Sequence, residues 1–343
     1  MKKNILAVAI AGAMAAPLAA NASAPTLYGQ MNVALDSVSE NGTSFQNRNS
    51  RLGVKGSEDL GNGLKAVYQL ETTLDMANTQ IVDKNDNKQS KGGFGALRNT
   101  FVGVSGSFGT VVAGRHDTPL RMIQPNDRFN DSAYLGNNTG SFGGLAGNSG
   151  EDRLDNMVAY LSPNMNGFQV VFGGITTEGT GDSKDQNLGN AYSASVAYGS
   201  KRNGLYAAAG YTKRTDKLDP TTERANTRAT VQYADSGLVV SGMYNQADRK
   251  GESNPSSITL GAMYTMGDFT PRAKIAFIDK KANAKSDKAS TNFALGLDYA
   301  LGKKTRTFVE YGVIDKNTEA RRSSGVAVGD SVDVFTVGLA HSF

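Results

Sequence analysis

The chain has no cysteine and no tryptophan. The roughly 18 to 20 consecutive apolar residues of a membrane helix also occur nowhere in it. Without cysteine there is no disulfide framework, no thiolate nucleophile and no thiolate metal site. Blocks of like charge are missing too: 36 Lys and Arg are interleaved with 32 Asp and Glu, for a net charge of +4. Nucleic-acid binding needs a basic stripe, so that class is excluded. Hydrophobic residues make up 39% of 343 positions and are spread evenly among 40 glycines, which is not the pattern of one large buried core.

The first residues set the compartment. Lys2 and Lys3 precede an apolar, alanine-rich stretch from Ile5 to Leu18, followed by small residues in "AANASAPT". This is the layout of a secretory signal peptide, expected to span 1–22, with cleavage after Ala24 as the alternative. The mature chain, 23–343, would then carry two fewer positive charges.

Period-2 alternation recurs along the whole mature chain, and no helical period dominates anywhere. In "TNFALGLDYAL" Phe293, Leu295, Leu297, Tyr299 and Leu301 share one face; Asn292, Ala294, Gly296, Asp298 and Ala300 share the other. Ile258, Leu260, Ala262, Tyr264 and Met266 repeat the pattern. The stretches 98–108 and 238–246 do not declare which face is apolar. Runs of this kind predict about sixteen strands, starting near 27, 50, 64, 98, 109, 153, 168, 190, 205, 224, 238, 257, 269, 291, 305 and 331.

The links between them alternate. Tight turns such as "DLGNG" (59–63), "ADSG" (234–237) and "LGKK" (301–304) exchange with long polar connections near 37–49, 77–96, 116–152, 177–189, 215–223, 247–256, 280–290 and 316–330. In an antiparallel meander every second link leaves by the same edge, so the two edges face different surroundings. A transmembrane barrel has that asymmetry. Hydrocarbon offers no water to backbone groups, so only helices and closed barrels span it. The expected fold is therefore all-β, a 16-stranded antiparallel transmembrane barrel enclosing an aqueous channel. Charges opposite the apolar stripes (Arg51, Lys55, Lys65, Glu71, Arg272, Lys274, Arg306, Glu310) fit a wet lumen. The 13 Tyr and 14 Phe can form interfacial girdles.

"LYGQMNVALDS" (27–37), "RLGVKGSEDLGNGLKAVYQLE" (51–71), "RNTFVGVSGSFGTVVAGR" (98–115), "RLDNMVAYLSP" (153–163) and "VGLAHSF" (337–343) resemble the general diffusion porins of the neisserial and related proteobacterial type. The resemblance runs from the first strand to the last. It implies an outer-membrane homotrimer whose barrels pass small hydrophilic solutes passively, with the third long loop, 116–152, folded inward as a constriction. It also sets loop acids, here Asp117, Asp127, Asp131, Glu151 and Asp152, against a basic wall. The matching wall positions are Arg51, Lys55, Lys65, Arg98, Arg115 and Arg153. Relatives often carry a base where this chain has Ser105, Val112 and Ala159, so the expected selectivity is weak with a slight anion lean. The implied partners are copies of the chain, outer-membrane lipid and lipopolysaccharide, and the assembly machinery, which reads a terminal Phe, here Phe343. No cofactor or metal is implied.

Other motifs have plainer explanations. His116 and Asp117 form a base–acid pair, but nothing marks a nucleophile, so no enzyme is expected. Asp83, Asn85 and Asn87 have calcium-loop spacing, yet Lys88 and Phe94 stand where an EF-hand needs its glycine and glutamate. "GGFGALR" (92–98) precedes a strand and is no phosphate cradle. A substrate-specific channel for sugars or anions remains the alternative, with a barrel enzyme or adhesin behind it. The closing stripe Phe335, Val337, Leu339, His341 and Phe343 has a barrel reason: a last strand pairing with the first leaves no open edge.

Overall fold

The computed structural model describes residues 24–39, 41–76, 80–82, 88–90, 93–129, 131–137, 152–175, 191–215, 224–249, 254–279, 288–318 and 331–343, with backbone alone at 80–82, 88–90 and 249. The signal segment expected at 1–22 and the calcium-spaced Asp83, Asn85 and Asn87 lie outside these. So does Glu151.

The chain folds as a closed, 16-stranded antiparallel barrel. Its strands are β1 (Thr26–Val38), β2 in two pieces (Gly42–Asn47 and Arg51–Gly61), β3 (Leu64–Leu74), β4 (Phe94–Gly106), β5 (Gly109–Asp117), β6 (Arg153–Leu161), β7 (Phe168–Ile175) and β8 (Ala191–Gly199). The circuit continues with β9 (Gly204–Arg214), β10 (Arg224–Asp235), β11 (Leu238–Arg249), β12 (Ser256–Tyr264), β13 (Phe269–Ile278), β14 (Ser290–Gly302), β15 (Thr305–Ile314) and β16 (Val332–Ser342). A separate ribbon, Gln80–Val82 with Lys88–Ser90, lies between β3 and β4.

β16 returns to β1 in register from Gln30↔Ser342 to Val38↔Val334. The Phe343 N–H donates to the Gly29 carbonyl at 3.1 Å, and the Gly29 N–H donates back at 3.2 Å. No strand edge is left to face hydrocarbon, where each unsatisfied backbone group would cost several kcal/mol.

Three of the tight turns share one cause. Asn62–Gly63, Asn166–Gly167 and Ser236–Gly237 each hold both central residues at positive φ. That left-handed pair is the type I′ turn, whose twist matches the strands it joins. The strand ends that lead into the long links are on the opposite edge.

One expectation needs correction. The link at 37–49 is not an open loop, because β1 and the upper piece of β2 pair up to Val38↔Gly42. β2 is instead interrupted at 48–50. The Asn32 carbonyl accepts from the Arg48 N–H at 2.8 Å, Asn49 sits at φ 55, and Ser50 Oγ accepts from the Asn32 N–H. This kink carries Arg48 off the strand and into the lumen wall.

Alternation resolves the ambiguous strands. On β4, Val102 is 62% exposed on the outer face, while Ser105 faces in with Lys65 and Thr110. On β11, Val240 and Tyr244 face out and Met243 is buried inside. The outer face carries girdles near both edges. Phe168–Tyr198 and Phe269–Tyr299 have ring centroids 4.8 and 4.9 Å apart on the short-turn side. Tyr192–Tyr211 and Phe293–Tyr311 sit on the long-link side. Phe335, Val337, Leu339, His341 and Phe343 all face outward. His341, the polar member, has its Nδ1 2.8 Å from Thr305 Oγ1.

Candidate functional site

The lumen is bounded by two different walls and a loop. On the first wall, Tyr28, Gly53 and Glu71 stand in one register row across β1, β2 and β3. A Cβ on Gly53 would lie 2.4 Å from Tyr28 Cζ. The missing side chain lets the tyrosine ring lie across β2, where its hydroxyl donates to Glu71 Oε2 at 2.8 Å. β4 adds a bulge: Leu70 pairs with Thr100 and Thr72 with Leu97, so Arg98 and Asn99 together oppose Glu71. Arg98 forms an ion pair with Glu71, and Asn99 donates to Asp117 Oδ2 at 3.0 Å. Asp117 also holds Arg121 and Arg153, each at 2.9 Å, and Arg153 Nε donates to Asn99.

At Asp117 the chain turns into the lumen. The Thr118 hydroxyl caps a single helical turn, α1 (Pro119–Met122), by accepting from the Arg121 N–H. The Thr118 N–H donates to the Asp152 carbonyl at 3.1 Å, and Asp152 pairs with Arg214 at 2.6 Å, closing the loop's neck. α1 lies on β8 and β9: Leu120 and Ile123 pack on Tyr206 and Ala208, and Arg228 donates to the Leu120 carbonyl. Further along, the Asn126 N–H donates to Gln232 on β10. The described loop thus crosses the lumen from β5 to the far wall.

The far wall, β13 to β16 with β1, is a connected ionic network. Lys274 is bound by Asp127 at 3.0 Å, and Asp127 also accepts from the Phe129 and Asn137 N–H groups. Asp298 accepts from Arg272 and from loop Arg128, the latter at 3.3 Å, and forms an ion pair with Arg306 at 3.1 Å. Arg48 bridges Asp36 at 2.6 Å and Glu310 at 2.7 Å, and Glu310 is shared with Arg272. The Phe129 ring sits under the Arg272 guanidinium, 4.1 Å from ring centroid to Cζ. Leu135 is fully buried with Val332, Val334 and Val38. Burial and the nearby Asp36 carboxylate push the Tyr134 phenol above its ordinary range.

Three expected wall residues, Arg51, Lys55 and Lys65, face the lumen on β2 and β3, in register with Gln30, Thr26 and Asp59. Arg98 and Arg153 also lie on the first wall, but each is engaged by a carboxylate. Arg115 departs from the expectation. Its register partner is Thr100, in the outward row of Leu70, and it pairs with exposed Asp155 at 2.7 Å. Strand alternation from exposed Val111 and Ala113 places it on the outer face.

Among the loop acids, Asp117 and Asp152 hold the neck and Asp127 anchors the loop. Asp131 accepts from the Asn49 amide at 3.2 Å and lines a cavity of about 480 Å³ with Gln30, Arg128, Asp298 and Arg306. His116 is buried against Phe101, with Nδ1 2.8 Å from the Asp117 carbonyl. Among the described residues no cluster of acids and histidines could hold a metal ion.

Sequence reasoning did not foresee that Arg48, Asp36 and Asp298 knit the far wall to the loop. A signal was present, however, in inward-facing strand glycines. A Cβ on Gly312 would meet Leu135 Cδ2 at 2.5 Å, and one on Gly210 would meet Ile123 Cδ1 at 3.0 Å. Glycine inside a strand marks close approach of another segment, and here that segment is the loop.

Known proteins resemble this chain in sequence and fold. The family model described as "Gram-negative porin" matches residues 6–319. Over their full lengths, the chain is 29% identical to major outer membrane protein P.IB of Neisseria meningitidis serogroup A and 29% identical to outer membrane porin protein 32 of Delftia acidovorans. The solved structure of the anion-selective porin from Comamonas acidovorans covers 94% of this chain, and all of that chain is covered, with a TM-score of 0.67 at 22% identity. With a closed barrel, a wet charged lumen and a loop folded across it, the chain belongs to the Gram-negative porins, outer-membrane barrels that pass small solutes by passive diffusion.

Proposed function

We propose that the narrow part of this channel lies between the inward loop and the β2–β3 wall, and that it passes small hydrophilic solutes with a slight preference for anions. The observation that carries this reading is the loop's docking. Lys274, Arg272 and the Leu135 seat hold it to the far wall, which leaves Arg51, Lys55 and Lys65 facing the open space. The relative from Comamonas is described as anion-selective, which agrees in sign. Lumen charges act through water and salt, with a Debye length of ~8 Å at physiological ionic strength, so the preference is weak. Arg98, Arg153, Asp117, Asp127 and Asp152 serve mainly to shape the opening and fix the loop.

The reading assigns no catalysis. His116 is buried, and the Asp117 carboxylate is occupied by two arginines. It takes the assembled unit to be a homotrimer in lipid and lipopolysaccharide, with Phe343 as the contact for assembly. Planar-bilayer recording tests it: conductance steps arriving in threes, with chloride favoured slightly over potassium in a salt gradient, are expected. A folded protein that conducts nothing, or that strongly prefers potassium, overturns it.

A further inference from the structure

We propose that the hollow between the inward loop and the short-turn edge of the far wall is a docking site for small zwitterions, solutes carrying both an ammonium and a carboxylate; this rests on the diffusion-channel reading above.

The hollow is the cavity of about 480 Å³ beside Arg128 and Asp131. Small-molecule sites occupy ~300 to 1,000 Å³, so it is large enough for one such solute. Small inward side chains create it: Thr270 on β13, Ala300 on β14, and Ala340 and Ser342 on β16. Among the described residues no aromatic or large aliphatic side chain lines it. Nothing there can stack on a sugar ring or hold an apolar solute.

Charge decides what fits. Four carboxylates and four cationic side chains line the hollow, so it has no net charge with which to favour an anion or a cation alone. Half of these are spent on ion pairs: Asp298 on Arg128 and Arg306, and Asp127 on Lys274. The other four, Asp131, Asp268, Lys303 and Lys304, meet no charged partner among the described residues.

Two of them face the space from opposite ends. Asp131 belongs to the loop, and its hydrogen bond comes from the neutral Asn49 amide at 3.2 Å, brought there by the kink in β2. Lys304 leads into β15 at the tight-turn edge, on the inward side with Arg306. It lies two residues from Arg306, ~7 Å further toward that edge. A solute with its ammonium toward Asp131 and its carboxylate toward Lys304 satisfies both groups at once. An anion or a cation of the same size satisfies one and meets a like charge at the other. Each contact acts through water and is weak. Half-saturation is therefore expected at about 1 mM or above, which slows a solute without trapping it.

The test is potassium chloride conductance of folded protein in planar bilayers, with glycylglycine added to both sides at neutral pH. N-acetylglycine, an anion, and glycinamide, a cation, are the comparison probes. Glycylglycine is expected to lower conductance saturably, and the other two to do so less at equal concentration. Asp131→Asn keeps the acceptor for Asn49 but loses the charge, and Lys304→Gln loses the opposite charge. Each should raise the half-saturating concentration roughly two- to fivefold. Ala300→Leu fills the hollow without changing any charge and should remove the saturable part. If Ala300→Leu folds poorly, the two charge variants still decide. Equal effects of all three probes, a conductance that does not saturate, or unchanged half-saturation in Asp131→Asn and Lys304→Gln overturns the inference. A folded protein that conducts no ions breaks the diffusion-channel reading, whereas a conducting channel indifferent to glycylglycine breaks only this one.

Discussion

Lys274 on β13 and Lys55 on β2 are both lysines on the inner face of the same barrel. Lys274 is buried, bonded to Asp127 and Asn137 and covered by the loop. Lys55 is exposed and rests on an aromatic ring. The walls around them differ in the same way. The β13–β16 wall spends its charges on each other and on the loop, while the β2–β3 wall keeps Arg51, Lys55 and Lys65 facing the lumen. A count of lumen charges therefore says little about what a passing solute meets. Pairing decides it. In the proposed reading, paired groups act as mechanical anchors and unpaired groups are left to act on ions.

That contrast can be broken most forcefully at Lys274. Replacing it with Ala strands the Asp127 carboxylate in a buried site, and removing one partner of a buried pair costs ~3 to 5 kcal/mol. Lys274→Ala is expected to lower the temperature at which the barrel loses its compact gel mobility and to raise single-channel conductance as the loop loosens. Lys55→Ala should do neither. Equal thermal loss in both variants would erase the difference between the walls.

A smaller effect is expected at Gly312. A Val side chain there would collide with Leu135 and crowd the Phe293 carbonyl, 3.1 Å from the added Cβ. Overpacking of this kind costs ~1 to 3 kcal/mol. Gly312→Val should widen the spread of conductance levels by lifting the loop's tip, with little change in ion preference. A pure change of preference at constant conductance would contradict the anchoring role.

The smallest effect concerns salt. Raising ionic strength from ~0.1 M to 1 M shortens the Debye length from ~10 Å to ~3 Å. The ion preference set at the β2–β3 wall should fade toward unity over that range, while the far wall's buried pairs hold the loop as before. A preference constant across the range would mean that ions are selected by close contact instead.

Much of the fold was legible before any coordinates. Alternation on β14 and β16 names the lipid face residue by residue, and Asn62–Gly63 and Ser236–Gly237 name two tight hairpins. The kink at Asn49 was not legible, because it interrupts an otherwise good strand pattern. The bulge at Arg98–Asn99 was hidden for the same reason. It changes how β4 faces β3 without changing composition. Arg115 is a different case, because its outward face follows from alternation with Val111 and Ala113.

The difference is one of range. Strand period, turn type, lipid-facing stripes and the need to close the sheet are consequences of neighbours a few residues apart, so the order of residues sets them directly. Ion pairing joins groups far apart in the chain: Arg48 and Glu310 are 262 positions apart, and Lys274 and Asp127 are 147 apart. Only the register of sixteen strands and the path of one loop bring such groups together. The sequence therefore states which charges face the water-filled interior. Which of them are left to act on a solute is decided by the closed barrel and the loop docked inside it.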